Sequence, residues 1–134
     1  MGRDKMNEKL LIAVLNELPH EQYNPVFIEA KLERIGSLLE SYKPKWFDVE
    51  EFHCDKWTDP IPEPRRVMIL YGFDSIEHCP DKQETLVHHI DAWIERGVQI
   101  IILSSKAYYE IDMDGRLRSR VGRGLALTNE SGMI

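Results

Sequence analysis

The sequence predicts an α/β domain of three layers, a parallel sheet flanked by helices. Three observations lead there. The apolar runs Val67–Tyr71 and Val98–Ser105 lack polar–apolar alternation, as strands covered on both faces do. Between them Leu86, Ile90, Trp93 and Ile94 recur at helical spacing, over a length that can carry the chain back between parallel neighbours. Strand-like and helix-like stretches also alternate along the whole chain.

Each element has its own local cause. Lys5 to Leu18 reads as a helix, with Leu10, Leu11, Val14, Leu15 and Leu18 on one face and Pro19 as its stop. Pro25–Ala30, "PVFIEA", is a short β-rich run. Ala30 to Tyr42 is helical again, with Leu32, Ile35, Leu38, Leu39 and Tyr42 as its apolar stripe, and Pro44 ends it. Residues 45–64 read as an irregular connector rich in prolines (Pro60, Pro62, Pro64) and aromatics, with room for a short helix around Asp48–Phe52. Asp81 with Glu84 has the spacing of a capping box. It predicts a helix running to about Arg96, closed by Gly97. A short helix near Gly115–Val121 and a last strand at Gly124–Thr128 complete the order.

Bulk properties narrow the function. A chain of 134 residues suits one domain, taken as residues 1–134, with its own core. A net charge of −6 argues against broad, non-specific nucleic-acid binding. No apolar run approaches the roughly 20 residues that span a bilayer, and the start lacks a signal-peptide pattern, so the expected place is the cytoplasm, with no membrane partner. Cys54 and Cys79 are expected as free thiols. His53–Cys54 and His78–Cys79 are adjacent pairs without C-x-x-C spacing, and no metal site is expected from them. His88 and His89 read as surface and packing residues of a helix. No G-x-S-x-G elbow accompanies Ser104 and Ser105, and no catalytic residue is assigned. Trp46, Phe47, Phe52 and Trp57 read as cover for the edge of a core, with a partner-anchoring role as the alternative.

The residues that stand out are arginines. Asp114–Gly124, "DGRLRSRVGRG", holds Arg116, Arg118, Arg120 and Arg123 in an otherwise acidic chain. From spacing alone they make a solvated basic turn or pair with local acids such as Asp112 and Asp114. Together with the strand–helix–strand unit Val67–Ser105 and "QIIILSS", this segment resembles the nucleotide-binding AAA+ domain of the bacterial replication initiator DnaA. "GRLRSRVGRGL" is similar to that family's box VII, D-R-L-[KR]-S-R-F-x-[WR]-G-L. The resemblance implies a P-loop NTPase-like core in which Arg120 matches a finger that reaches a neighbour's nucleotide, with Arg116 as the companion box VII arginine. A planar, permanently charged guanidinium suits a phosphate. It also implies that Ser104 and Ser105 stand at the sensor-1 position.

Other parts of the pattern are missing. No G-x-x-x-x-G-K-[ST] occurs, and "KLLIAVLNE" resembles the helix that follows the phosphate loop, which puts the loop's lysine and threonine positions near Asn7 and Glu8. Tyr71 and Gly72 stand where the family ends a strand in two magnesium-binding aspartates, with Asp74 the nearest substitute. Lys106 replaces the acid after the sensor-1 serine. In that alignment the core is incomplete, because the central strand before the phosphate loop is absent. The last strand then either slides next to the sensor-1 strand, or pairs with a strand from a partner chain, or belongs to a truncated relative.

The expected function is a DnaA-like protein without its own ATPase chemistry. It would bind no cofactor unless a partner or an upstream segment completed a site for ATP and magnesium. It would regulate replication initiation by docking on a DnaA-type ATPase or on itself, with DNA reached only indirectly. The alternatives are an interaction module with an inherited fold, binding an unrelated protein or nucleic acid, and a fragment of an active ATPase.

Overall fold

The structure is a computed structural model that describes residues 8–51 and 67–127. Five strands, all parallel, form one sheet. They are β1 (Val26–Glu29), β2 (Lys45–Asp48), β3 (Val67–Tyr71), β4 (Gln99–Ser104) and β5 (Leu125–Leu127), in the spatial order β2–β3–β4–β1–β5. Four helices cover it: α1 (Glu8–Asn16), α2 (Leu32–Leu39), α3 (Pro80–Glu95) and α4 (Gly115–Val121).

The continuous apolar runs behave as their chemistry requires. All six residues of β4 and the first four of β3 are buried. Successive side chains alternate between two cores, because a strand points neighbours to opposite faces. Phe27, Met68, Leu70, Ile100 and Ile102 pack with Leu86, Ile90 and Trp93 of α3 and Leu117 and Val121 of α4. Val26, Ile28, Val67, Ile69, Ile101 and Leu103 pack with Leu11, Val14 and Leu15 of α1 and Ile35 and Leu39 of α2. The result is the expected three-layer sandwich.

Three expectations change. The central strand is present in the chain. "PVFIEA" supplies it, as β1 between β4 and β5, with Val26 opposite Ile101 on one side and Leu125 on the other. Consequently α1 precedes the central strand, and α2, not α1, is the helix that follows it. Glu8, at the start of α1, is therefore not at the phosphate-loop position, and Asn7 lies outside the described residues. Both α1 and α2 are short amphipathic helices, and local periodicity does not say which one follows the central strand. The last strand, β5, pairs with β1 of the same chain rather than with β4 or with a strand from a partner.

Residues 45–64 are not irregular throughout. Lys45–Asp48 forms β2, an edge strand in register with Met68–Tyr71, followed by a turn at Val49–Glu51 rather than a helix. Trp46 and Phe47 pack on opposite faces, each partly buried against one of the two cores. Phe52, His53, Cys54, Trp57 and the three prolines lie outside the described residues. Finally, α3 starts two residues earlier than the capping-box reading. Cys79 is its N-cap, without a side-chain capping bond, and Pro80 is the first helical residue.

Candidate functional site

In an open parallel sheet the connections choose the site. The chain leaves β1 through α2 on one face and runs to the far edge at β2. It then returns from β3 through α3 to β4, and from β4 through α4 to β5, on the opposite face. The carboxyl ends of β1 and β4 therefore part in opposite directions, and a crevice opens between them, the usual ligand position in such sheets. Glu29, Ala30, Lys31, Glu33, Arg34, Glu50, Tyr71, Gly72, Asp74, Ser104 and Ser105 line it.

The link from β1 to α2 is two residues, Ala30 and Lys31. Neither is glycine, and no left-handed residue bends the backbone there. The crevice carries the carboxylates of Glu29, Glu33, Glu50 and Asp74 against two cations, Lys31 and Arg34.

The crevice gathers the sensor-1-like serines and all three residues of the strand-end set. Tyr71 closes β3. Gly72 follows at φ 68, a left-handed conformation that glycine adopts without strain, and turns the chain into a 3₁₀ turn, Phe73–Ile76. The turn brings Asp74 back over the end of β4. Its Oδ2 accepts from Ser105 Oγ (2.9 Å) and its Oδ1 from Ser105 N (3.3 Å), with a longer contact to Ser104 Oγ (3.4 Å). Ser104 Oγ in turn accepts from Lys106 N (3.0 Å). Asp74 thus serves as an acceptor that ties β3 to β4. Burial, then the negative charges of Asp48 and Glu51, push the Tyr71 hydroxyl above its ordinary pKa.

Lys106 bridges Glu77 (2.5 Å), and Glu77 also accepts from Asp112 N (2.8 Å). The Asp112 N–H first, and the Lys106 ammonium second, hold the Glu77 carboxyl below its ordinary value. The same bridge raises Lys106.

The four arginines divide by environment. Arg118 turns inward. Its guanidinium donates to the carbonyls of Tyr108 and Ile111 and lies 5.4 Å over the Tyr108 ring, whose hydroxyl donates to Arg118 O (2.9 Å). Arg120 is held by Asp91 of α3 through Nε (3.2 Å to Oδ1) and Nη2 (3.2 Å to Oδ2), and its Nη1 donates to Arg116 O (3.3 Å). Arg116 is the more exposed, and among the described residues its guanidinium makes one 4.0 Å contact, to Glu84. Arg123 lies at the other end of α4, beside Glu95 at a cleft on the opposite rim of the sheet. The acids that answer the arginines are thus Asp91 and Glu84, not Asp112 and Asp114. Asp114 instead caps α4, accepting from Arg116 N (2.6 Å).

Sequence reasoning missed Gln83, which is buried. Its Nε2 donates to Ile76 O (3.0 Å) and its Oε1 accepts from Asp114 N (2.6 Å), so it sets where α4 begins. Its place on the inner side of α3, two residues after Asp81, was the only local sign. Cys79 is a free thiol, and among the described residues no three His, Cys, Asp or Glu side chains are placed to hold a metal. No described helix is long and apolar enough to cross a membrane.

The fold is similar to that of domain III of DnaA replication initiators. Domain III of the replication initiation protein DnaA from Thermotoga maritima superposes with a TM-score of 0.71 at 20% identity, over 91% of this chain and 61% of that one. A replication initiator DnaA bound to AMPPCP and single-stranded DNA gives 0.67 at 18% identity, over 92% and 46%. AMPPCP-bound DnaA from Aquifex aeolicus gives 0.67 at 18%, over 91% and 46%. The chain spans less than two thirds of each of these proteins, and the likeness establishes the fold alone. A family model described as the PRAME N-terminal domain matches residues 4–50, which leaves β3, β4 and β5 outside it. No curated protein matches.

Proposed function

We propose that this chain is a DnaA-like AAA+ protein without nucleotide chemistry of its own, which regulates replication initiation by docking on a DnaA-type ATPase in the cytoplasm. The observation that carries the reading is the two-residue link Ala30–Lys31 after the central strand. A triphosphate cradle needs a run of backbone amides turned inward by glycines, then a lysine and a hydroxyl. Two residues between strand and helix cannot supply that run, and Glu29 and Glu33 beside them repel phosphate. Two of the similar initiators are AMPPCP-bound. A loop upstream of residue 1 would not lie between β1 and α2, which argues against an ATPase completed from that side.

The docking face in this reading is α4, led by exposed Arg116. Arg120 joins it only by leaving Asp91, at the cost of a partly exposed ion pair worth about 0.5–1 kcal/mol. That pair also favours a second reading, in which the arginines fasten α4 to α3 and the chain is an interaction module for an unrelated partner. Immobilised chain, challenged with purified DnaA-type initiator, separates the two. Retention that is lost in Arg116→Ala and Arg120→Ala supports docking through box VII. Absence of retention by the wild type removes it.

A further inference from the structure

The rim of the sheet opposite the crevice holds a second cleft, of about 820 Å³, between the loop Pro19–Asn24, the end of α3 and Arg123. It is built with more polar bonds than a chain reversal requires. Gln99, fully buried, accepts from His20 N (2.8 Å) and donates to Tyr23 O (2.7 Å). The Asn24 carboxamide donates to Val98 O (2.7 Å) and accepts from Ile100 N (2.9 Å). These four bonds lock the loop onto the start of β4. The His20 ring is fixed as well: it stacks on Tyr23 (4.4 Å between centroids), and its Nδ1 accepts from Gln22 N (3.1 Å), so Nε2 carries the proton in the neutral ring and donates.

What the lining leaves unused has a definite chemistry. The Arg123 guanidinium and the Glu95 carboxylate share the cleft, yet make no ion pair with each other or with any described residue. The His20 Nε2–H is a second donor. Pro19 and Ile94 add apolar wall. The volume of the cleft falls within the range of small-molecule sites, and its floor is fixed.

We propose that this cleft binds a free α-amino acid with an apolar side chain. The carboxylate is taken by Arg123 and His20, the ammonium by Glu95, and the side chain lies against Ile94 and Pro19. A simple anion or a simple cation meets only one of these two opposite charges, whereas a zwitterion meets both at once. The inference uses none of the residues on which initiator docking depends.

The test is an NMR titration of the full chain with leucine, leucinamide, which lacks the carboxylate, and N-acetyl-leucine, which lacks the ammonium, each up to about 20 mM, a range that reaches weak binding. The expected result is shifts centred on residues 94–99 and 123 with leucine. Each analogue, missing one charge-assisted bond, should bind at least about tenfold more weakly. Arg123→Gln should abolish the preference over leucinamide, and Glu95→Gln the preference over N-acetyl-leucine. Both side chains are exposed, so the spectra should otherwise be unchanged. No shift with leucine, equal shifts from all three compounds, or preferences that survive both substitutions would overturn the proposal. None of these outcomes depends on whether the chain docks on an initiator.

Discussion

Gln83 offers the sharpest test of how α4 is held. In Gln83→Leu the side chain keeps its approximate volume and loses both hydrogen bonds. One joins Nε2 to Ile76 O and the other joins Oε1 to Asp114 N, which links α3 to the first turn of α4. Ile76 O keeps a second donor, Cys79 N at 3.0 Å, and Asp114 is exposed enough for water to reach its amide. The change therefore removes two net hydrogen bonds rather than leaving two orphans, about 2 kcal/mol in total. For a chain of this length that lowers the melting temperature by about 8 °C. Urea denaturation followed by circular dichroism measures the loss. Amide exchange should show it concentrated in α4 and the loop before it. A loss below about 0.5 kcal/mol, the range of ordinary surface substitutions, would refute the claim that this buried amide positions the arginine helix.

Other perturbations probe separate parts of the molecule. Gly124→Ala places a Cβ 2.2 Å from Pro25 O and 2.8 Å from Asn24 N, backbone atoms that cannot yield alone, so it should cost about 1–3 kcal/mol and loosen β5 from β1, visible as faster exchange at Leu125. Asp91→Asn frees Arg120 and should cost about 0.5–1 kcal/mol by urea denaturation, since both side chains are partly exposed; under the docking reading it should also strengthen retention of an initiator. Glu77 is held below its ordinary value of 4.5, so its contribution to stability is complete above that value and disappears as pH falls through the lower folded value. Wild type should therefore lose more stability than Glu77→Gln when urea midpoints are compared from neutral pH down through that window. Lys106, raised from 10.5, acts in the opposite sense: its contribution holds below that value and is lost as pH rises through the folded one. Millimolar ATP with magnesium should move the melting temperature by less than about 1 °C, since ligand stabilisation requires affinity for the native state. A shift of several degrees would overturn the reading of the Ala30–Lys31 link.

Local patterns were enough for several elements. Val67–Tyr71 and Val98–Ser105 are apolar without alternation, and only a strand buried on both faces makes use of such a run. The helix between them shows its inward face at Leu86, Ile90 and Trp93. The residues that the resemblance placed at the strand ends, Tyr71, Gly72, Ser104 and Ser105, do meet in one crevice. Parallel strands linked by crossovers bring their carboxyl ends to the same rim, and this follows from the order of elements alone.

Neighbour relations belonged to the tertiary structure. Which strand sits at the centre is a pairing between residues some 75 positions apart, Val26 with Ile101, and no periodicity within "PVFIEA" encodes it. Lys45–Asp48 became a strand because the exposed edge of β3 offered partners for its backbone. The arginines were visible as a cluster, but their separate roles were not. Arg118 buries its charge on carbonyls, Arg120 meets Asp91, and Arg116 faces solvent, because those fates depend on what α3 and the preceding loop present at contact distance. Sequence spacing fixes the direction of a side chain on its own element, whereas its partner comes from another element, and only packing brings the two together.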